Sequence, residues 1–207
     1  NVSEASLWDE EYVIKLEVED EKGKISTGYS PLVVIDRKNL FAGGSGNATD
    51  PYKISNCRQL QNINYESMIL RAEQNQWENW ILSNDIDCSK TVEWNNGKGF
   101  IPIGSSNLAG FYGDFHGNGH SIKNLFINSS GGNVGLFWYS VGNISNVGLE
   151  NISISGKTNN IGGLAAGNYG EVSNSFSTGM VSGGNFVGGL VGHNYYGVIS
   201  NSYSTAN

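Results

Sequence analysis

The chain has 207 residues, 29 of them Gly and only 3 Pro, with 38% hydrophobic and 15% charged residues: enough apolar content to bury a core, and a turn-rich composition that is neither collagen-like nor disordered. Its formal net charge of -7 and pI near 4.9 come without clusters of Lys and Arg, which excludes the phosphate neutralisation on which nucleic-acid binding depends. No apolar run of about 18 residues is present to span a bilayer, so no membrane insertion is expected within this segment, and a signal for export would lie upstream of it.

Tyr12-Val13-Ile14-Lys15-Leu16-Glu17-Val18 alternates with period two, which predicts a half-buried strand with Tyr12, Ile14, Leu16 and Val18 on one face. Glu21 to Lys24 reads as a turn and Ser30 to Ile35 as the returning strand of a hairpin. The pattern from Tyr12 to Gly23 resembles the last strands of PKD-type immunoglobulin-like modules. That resemblance implies that residues 1–41 are the C-terminal strands of such a module. Glu17, Glu19 and Asp20 are read as a solvated strand face rather than as calcium ligands.

The Gly-rich stretch from Gly43 to Asp50 marks a boundary, with a second domain over 42–207. Ser55 or Asn56 caps a predicted short helix that places Leu60 and Ile63 on one face, suited to closing the end of a stack. Tyr65 to Trp80 is ambiguous and admits a longer helical insertion; Trp80 to Ile86 reads as a strand. Cys57 and Cys88 either pair in an oxidising compartment, closing a loop of about 30 residues worth roughly 3 to 4 kcal/mol, or remain two buried thiols. With no CxxC spacing and no neighbouring His they are not a metal site. Sequons at Asn1, Asn47, Asn128, Asn143 and Asn151 carry little weight in a chain so rich in Asn and Ser.

The last third repeats itself, most clearly over 134–207. Asn143-Ile144-Ser145-Asn146 recurs as Glu171-Val172-Ser173-Asn174 and as Val198-Ile199-Ser200-Asn201, at intervals of 28 and 27 residues. Ile161-Gly162-Gly163-Leu164 matches Val187-Gly188-Gly189-Leu190, and Ser175-Phe176-Ser177-Thr178 matches Ser202-Tyr203-Ser204-Thr205. One such unit cannot satisfy its strand edges or bury its Ile, Val and Leu, so the units must stack, about 4.8 Å apart, with equivalent side chains in ladders. The expected fold is all-β: a right-handed parallel β-helix with a short capping helix, preceded by the hairpin. The period is too short for a propeller blade, and the leucine-rich repeat pattern is missing. The Gly pairs are expected at corners of positive φ, and Asn146, Asn174 and Asn201 as an internal amide ladder. Beyond Val134 the only charges are Glu150, Lys157 and Glu171, as stacked like charges repel.

Val187-Gly188-Gly189-Leu190-Val191-Gly192-His193-Asn194, followed by Gly197 to Thr205, resembles the GLUG motif of bacterial and archaeal surface proteins, adhesins, and non-catalytic parts of some immunoglobulin A peptidases. Upstream, Asp50 to Ile54, Leu60 to Ile63, Asn84 to Cys88, Phe100 to Gly104 and Phe115 to Ile122 resemble the module that commonly precedes such repeats, with His116 standing where that pattern usually has Asp. The resemblance implies an extracellular or cell-surface setting, further domains of the same chain, and no catalytic residues to carry over.

His116 and His120 are four apart, but Gly117 and Gly119 argue against the helix that would make this a zinc spacing. Asp85, Asp87 and Asp114 are the best carboxylates for a polysaccharide lyase or hydrolase on a β-helix, the alternative function, and are more simply turn and ladder residues. Among the aromatics Trp94, Phe111, Tyr112, Trp138, Tyr139, Tyr195 and Tyr196, the adjacent pairs Trp138-Tyr139 and Tyr195-Tyr196 are expected to point opposite ways in a strand, leaving one of each outside as a ligand surface. The expectation is a non-catalytic adhesin or stalk module without metal or cofactor, whose partner is a cell-surface glycan or protein.

Overall fold

A computed structural model describes residues 6–8, 11–19, 25–30, 40–72, 77–105, 110–157 and 160–207. The chain divides into two compact units, Asn1–Leu40 and Phe41–Asn207. In the first, β1 (Ser6–Trp8), β2 (Glu11–Glu19) and β3 (Ile25–Ser30) form an antiparallel sheet in that order. The alternating segment is β2, as expected. Its partner begins at Ile25 rather than Ser30, with Glu19 opposite Ile25 and Ile14 opposite Ser30. The β-branched Ile25 and Thr27 follow the Gly23 turn signal at once, so pairing starts there. Residues 31–35, assigned to the returning strand from sequence, lie outside the described residues, as do Glu21 to Lys24.

The second unit is a parallel β-solenoid of about five turns. It opens with β4 (Tyr52–Ile54), the helix α1 (Cys57–Ala72), β5 (Glu78–Leu82) and β6 (Ile86–Asp87). The helix is one element of 16 residues rather than a short cap followed by an ambiguous stretch. Asn56 caps it, accepting the Gln59 N–H at 2.9 Å, while Gln59 reaches back to accept the Ser55 N–H at 2.8 Å. What anchors it is a pair of buried amides: Gln61 exchanges hydrogen bonds with Ile101, and Asn64 takes the Gly104 N–H at 2.8 Å. The Cys57–Cys88 disulfide ties its first turn to the residue after β6, with Cα atoms 5.3 Å apart.

The regular coils follow: β7 (Gly113–His116), β8 (Ser121–Lys123), β9 (Phe126–Ser129) and β10 (Phe137–Ser140), then β11 (Asn143–Ser145), β12 (Gly148–Gly156), β13 (Asn160–Gly162) and β14 (Ala165–Asn168). The last are β15 (Glu171–Ser173), β16 (Phe176–Ser182), β17 (Phe186–Gly188), β18 (Val191–Asn194), β19 (Val198–Ser200) and β20 (Tyr203–Ser204). They stack as the sheets β19-β15-β11-β7-β5-β4 and β20-β16-β12-β8-β6, with β9 also on β12, and as β10-β14-β18 and β13-β17. Register places equivalent side chains in columns. Trp80, Phe115, Ile144, Val172 and Ile199 form one, and Ile127, Ile154 and Val181 another. Each fully buried aliphatic in such a column contributes about 1.5 to 3 kcal/mol of transfer free energy.

Two local expectations are corrected. Asn146, Asn174 and Asn201 are not an internal ladder: they sit at the corner between the first two sheets with φ of 55°, 48° and 46°, and Asn174 and Asn201 are exposed. Asn holds the left-handed conformation there because its short polar side chain tolerates it. A buried amide sits at another corner, where Asn168 donates to the exposed Asn194 at 2.9 Å and to the Gly170 carbonyl at 3.3 Å. Conversely Gly162, Gly163, Gly188 and Gly189 lack positive φ. They are needed for close approach instead: a Cβ on Gly163 would strike the Gly189 carbonyl and come within 2.9 Å of Ile152.

Candidate functional site

An aromatic ridge runs along the outer side of β10, β14 and β18. Tyr169 and Tyr195 lie face to face, centroids 4.6 Å apart and planes 3° off parallel. Tyr139 meets both edge-on at 5.8 and 6.0 Å, and Tyr196 sits 6.4 Å from Tyr169. His193 stacks on Tyr195 at 4.1 Å, and Phe186 meets His193 at a tilt, 5.0 Å away. The ridge needs Gly167: opposite Tyr139 and His193 in register, it leaves open the space over which the Tyr139 and Tyr195 rings lie.

Amides fix the rings. Asn133 donates to the Tyr139 hydroxyl at 2.8 Å and Asn160 to that of Tyr195 at 2.9 Å. Partial burial, and then the Tyr195 hydroxyl, push the Tyr139 phenol up to about 12, and burial and Tyr195 likewise raise Tyr169. Tyr169 is 41% and Tyr196 88% exposed.

The adjacent aromatics do not point opposite ways. The Trp138 and Tyr139 rings are 4.7 Å apart and both half-buried. Tyr195-Tyr196 follows β18 in a turn, so strand alternation does not apply and both reach Tyr169. Of the other aromatics, Phe111 is core, between Trp80 and Phe137, and Trp94 packs under the Arg58 guanidinium at 4.3 Å. Sequence reading missed Tyr169. The signal was available, because Asn168-Tyr169-Gly170 aligns with Asn194-Tyr195-Tyr196-Gly197 one coil on.

The candidate carboxylates are held elsewhere, as structural partners. Asp85 accepts from Lys123 at 2.8 Å and from the Ser121 N–H at 3.0 Å, with His120 at 3.4 Å. The Lys123 and Ser121 hydrogen bonds hold it at about 2. Asp87 heads an outer ladder in which Asn124 donates to Asp87 and Asn151 to Asn124, at 2.9 and 2.8 Å; the Asn124 and Ser89 contacts lower its pKa. Asp114 takes Asn143 at 2.8 Å. His116 accepts the Asn118 N–H through Nδ1 at 3.0 Å and faces Asn146 through Nε2 at 3.0 Å, on a strand and turn rather than a helix. No helix among the described residues is long and apolar enough to cross a membrane.

Residues 183–207 match the GLUG motif family. Over 155 residues the chain is 37% identical to Halomucin of Haloquadratum walsbyi, a match covering 72% of this chain and 2% of that protein. Over 192 residues it is 32% identical to the "Putative Gly-rich membrane protein" of Evansella cellulosilytica, covering 75% of this chain and 21% of that one. The chain thus spans a small part of these relatives. A solved structure titled "putative immunoglobulin A1 protease" from Bacteroides ovatus superposes with a TM-score of 0.55 at 23% identity, over 81% of this chain and 60% of that one, a likeness of fold. The second unit is accordingly a parallel β-solenoid that carries the GLUG motif in its last coil.

Proposed function

We propose that the chain is a non-catalytic binding and spacing module of a larger extracellular or cell-surface protein, in which the solenoid displays the tyrosine ridge to a glycan or protein. The ridge carries this reading: the exposed Tyr169 and Tyr196, packed against the amide-held Tyr139 and Tyr195, offer the apolar faces and polar tips on which sugar rings and protein side chains dock. The names of the two relatives accord with a surface setting, and the disulfide with an oxidising compartment. The first unit belongs, on this reading, to an immunoglobulin-like neighbour.

The alternative, a polysaccharide lyase or hydrolase, has one observation in its favour: Lys123 stands between Asp85 and Glu150 at 2.8 and 3.9 Å, a cation beside two carboxylates. Yet Lys123 and Glu150 are cross-strand neighbours, and Asp85 is held ionised by its partners, which suits it poorly to general-acid work. Native affinity electrophoresis through gels of single acidic or neutral polysaccharides, stained afterwards for polymer, separates the readings. Retardation relieved by Tyr169→Ala with Tyr196→Ala supports the ridge; cleared tracks would establish the enzyme instead.

A further inference from the structure

A second feature lies beside the ridge, on the earlier coils. An open groove of about 540 Å³, within the roughly 300–1,000 Å³ range of small-ligand sites, is lined by Lys98, Asn96, Asn128, Asn133 and the half-buried Trp138. Its framework is fixed by backbone pairing: Lys98 accepts the Asn128 N–H at 2.8 Å, Gly99 bridges Ile127, and the Phe126 carbonyl takes the Phe100 N–H at 2.9 Å. Gly99, at φ 87°, lies so close to Phe126 that no Cβ fits. Asn95 and Asn96 turn in the left-handed region at φ of 52° and 56° to present Lys98.

The electrostatics of this groove run against those of the chain. The molecule carries a net charge of -7, yet no carboxylate lines the groove and Lys98 is the one charged residue that does. Lys98 has no ion-pair partner among the described residues, unlike Lys123, which is committed to Asp85 and Glu150. Asn128 uses its carbonyl oxygen to accept the Ser155 hydroxyl at 3.2 Å, and among the described residues its amide N–H groups have no acceptor. An indole face, amide donors and one unpaired ammonium are the groups that recognise a sugar ring bearing an anion.

We infer that this groove is a subsite for an anionic saccharide, with the acid group on the Lys98 ammonium, ring hydroxyls on the Asn96 and Asn128 amides, and a pyranose face on Trp138. The inference rests on the binding reading above only in treating the solenoid surface as a receptor for sugars. Groove and ridge touch through Trp138 and Tyr139, and through Asn133, which lines the groove and holds the Tyr139 hydroxyl. A saccharide longer than the groove is thereby led onto the tyrosines.

The test is isothermal titration of the whole chain with two matched pairs of probes: an oligogalacturonate and its methyl ester, and a sulfated galactan oligosaccharide and its desulfated form. At least one acidic probe should bind about tenfold or more tightly than its neutral twin, the gain of a charge-assisted hydrogen bond. Lys98→Met, which keeps the aliphatic stem of an exposed side chain, should erase that preference. Trp138→Ala should weaken both members of the pair, and Trp138→Phe, which keeps a ring in place, should restore most of it. Equal binding within both pairs, no binding of any probe, or a preference that survives Lys98→Met would overturn the inference. Tyr169→Ala with Tyr196→Ala separates the two sites. If the double variant loses neutral-polysaccharide retention while Lys98→Met changes nothing, the ridge stands and the groove falls; the reverse pattern leaves the groove and removes the ridge.

Discussion

Single residues set the corners of this solenoid. Asn174 is exposed, sits at φ 48°, and joins the ladder through its backbone, its N–H donating to the Ser200 carbonyl at 3.1 Å. Backbone conformation therefore decides what replaces it. Asn174→Gly should leave stability within about 0.5 kcal/mol, whereas Asn174→Val should cost about 1 to 2 kcal/mol by forcing a β-branched residue into the left-handed region, both read from urea midpoints. Asp85 makes a pH-dependent contribution. Its pKa is lowered from 3.8 to about 2 by Lys123 and the Ser121 N–H, so what it adds to stability is present above the unfolded value and lost as pH falls toward 2. The stability difference between wild type and Asp85→Asn should accordingly shrink between pH 4 and 2, seen in denaturation series across that range. At this scale the sequence marked the right Asn positions but not their role. Repetition shows that a residue recurs, and φ cannot be read from recurrence.

At the scale of elements, α1 is held to the early coils by the Cys57–Cys88 bond and by the amides of Gln61 and Asn64. The bond spans 31 residues, a loop for which chain-entropy arithmetic gives about 3 to 4 kcal/mol. Reductant, or the paired change Cys57→Ser with Cys88→Ser, should lower the unfolding free energy read from urea melts by that order without altering the far-UV signature of the later coils. A midpoint unmoved by reductant would mean that the amide contacts alone hold the helix. The strands were legible from alternation and from the repeat, whereas the helix length was not, since Tyr65 to Ala72 offers helix formers without a clear stop. The facing of Trp138-Tyr139 and Tyr195-Tyr196 was misread for a related reason. Tyr195 and Tyr196 lie beyond the end of β18, where strand alternation does not apply, whereas Trp138 and Tyr139 lie within β10, where Gly167, opposite Tyr139 in register, leaves room for the Tyr139 ring.

Across the whole molecule, stacking makes stability a sum over neighbours, so each coil is as secure as the coils on either side of it. The inner column shows this directly: Phe115, Ile144 and Val172 are at most 1% exposed, while Ile199, next in register, is 40% exposed. Ser177, in register with Leu149, is fully buried and donates to the Gly189 carbonyl at 2.7 Å, whereas Ser204, its partner in the next coil, is exposed. In the 207-residue chain taken alone, where β19 and β20 pair on one side only, local opening should therefore be cheapest in the coil of residues 186–204 and most costly in the coils of residues 113–156. Hydrogen exchange followed by mass spectrometry should find amides of β7 and β11 exchanging slowest, near the global unfolding limit. Amides of β19 and β20 should exchange faster, although Val198 and Tyr203 donate to Gly170 and Ser175 at 2.9 and 3.1 Å. Uniform protection from β7 to β20 would instead mean that the solenoid opens only as a single cooperative block. The ridge spans this gradient, with Tyr139 and Tyr169 on secure coils and Tyr195 and Tyr196 on the exposed one. A ligand bridging all four rings must then slow exchange in β18 and β19 far more than in β10, whereas one confined to the Trp138 groove would leave β18 and β19 unchanged.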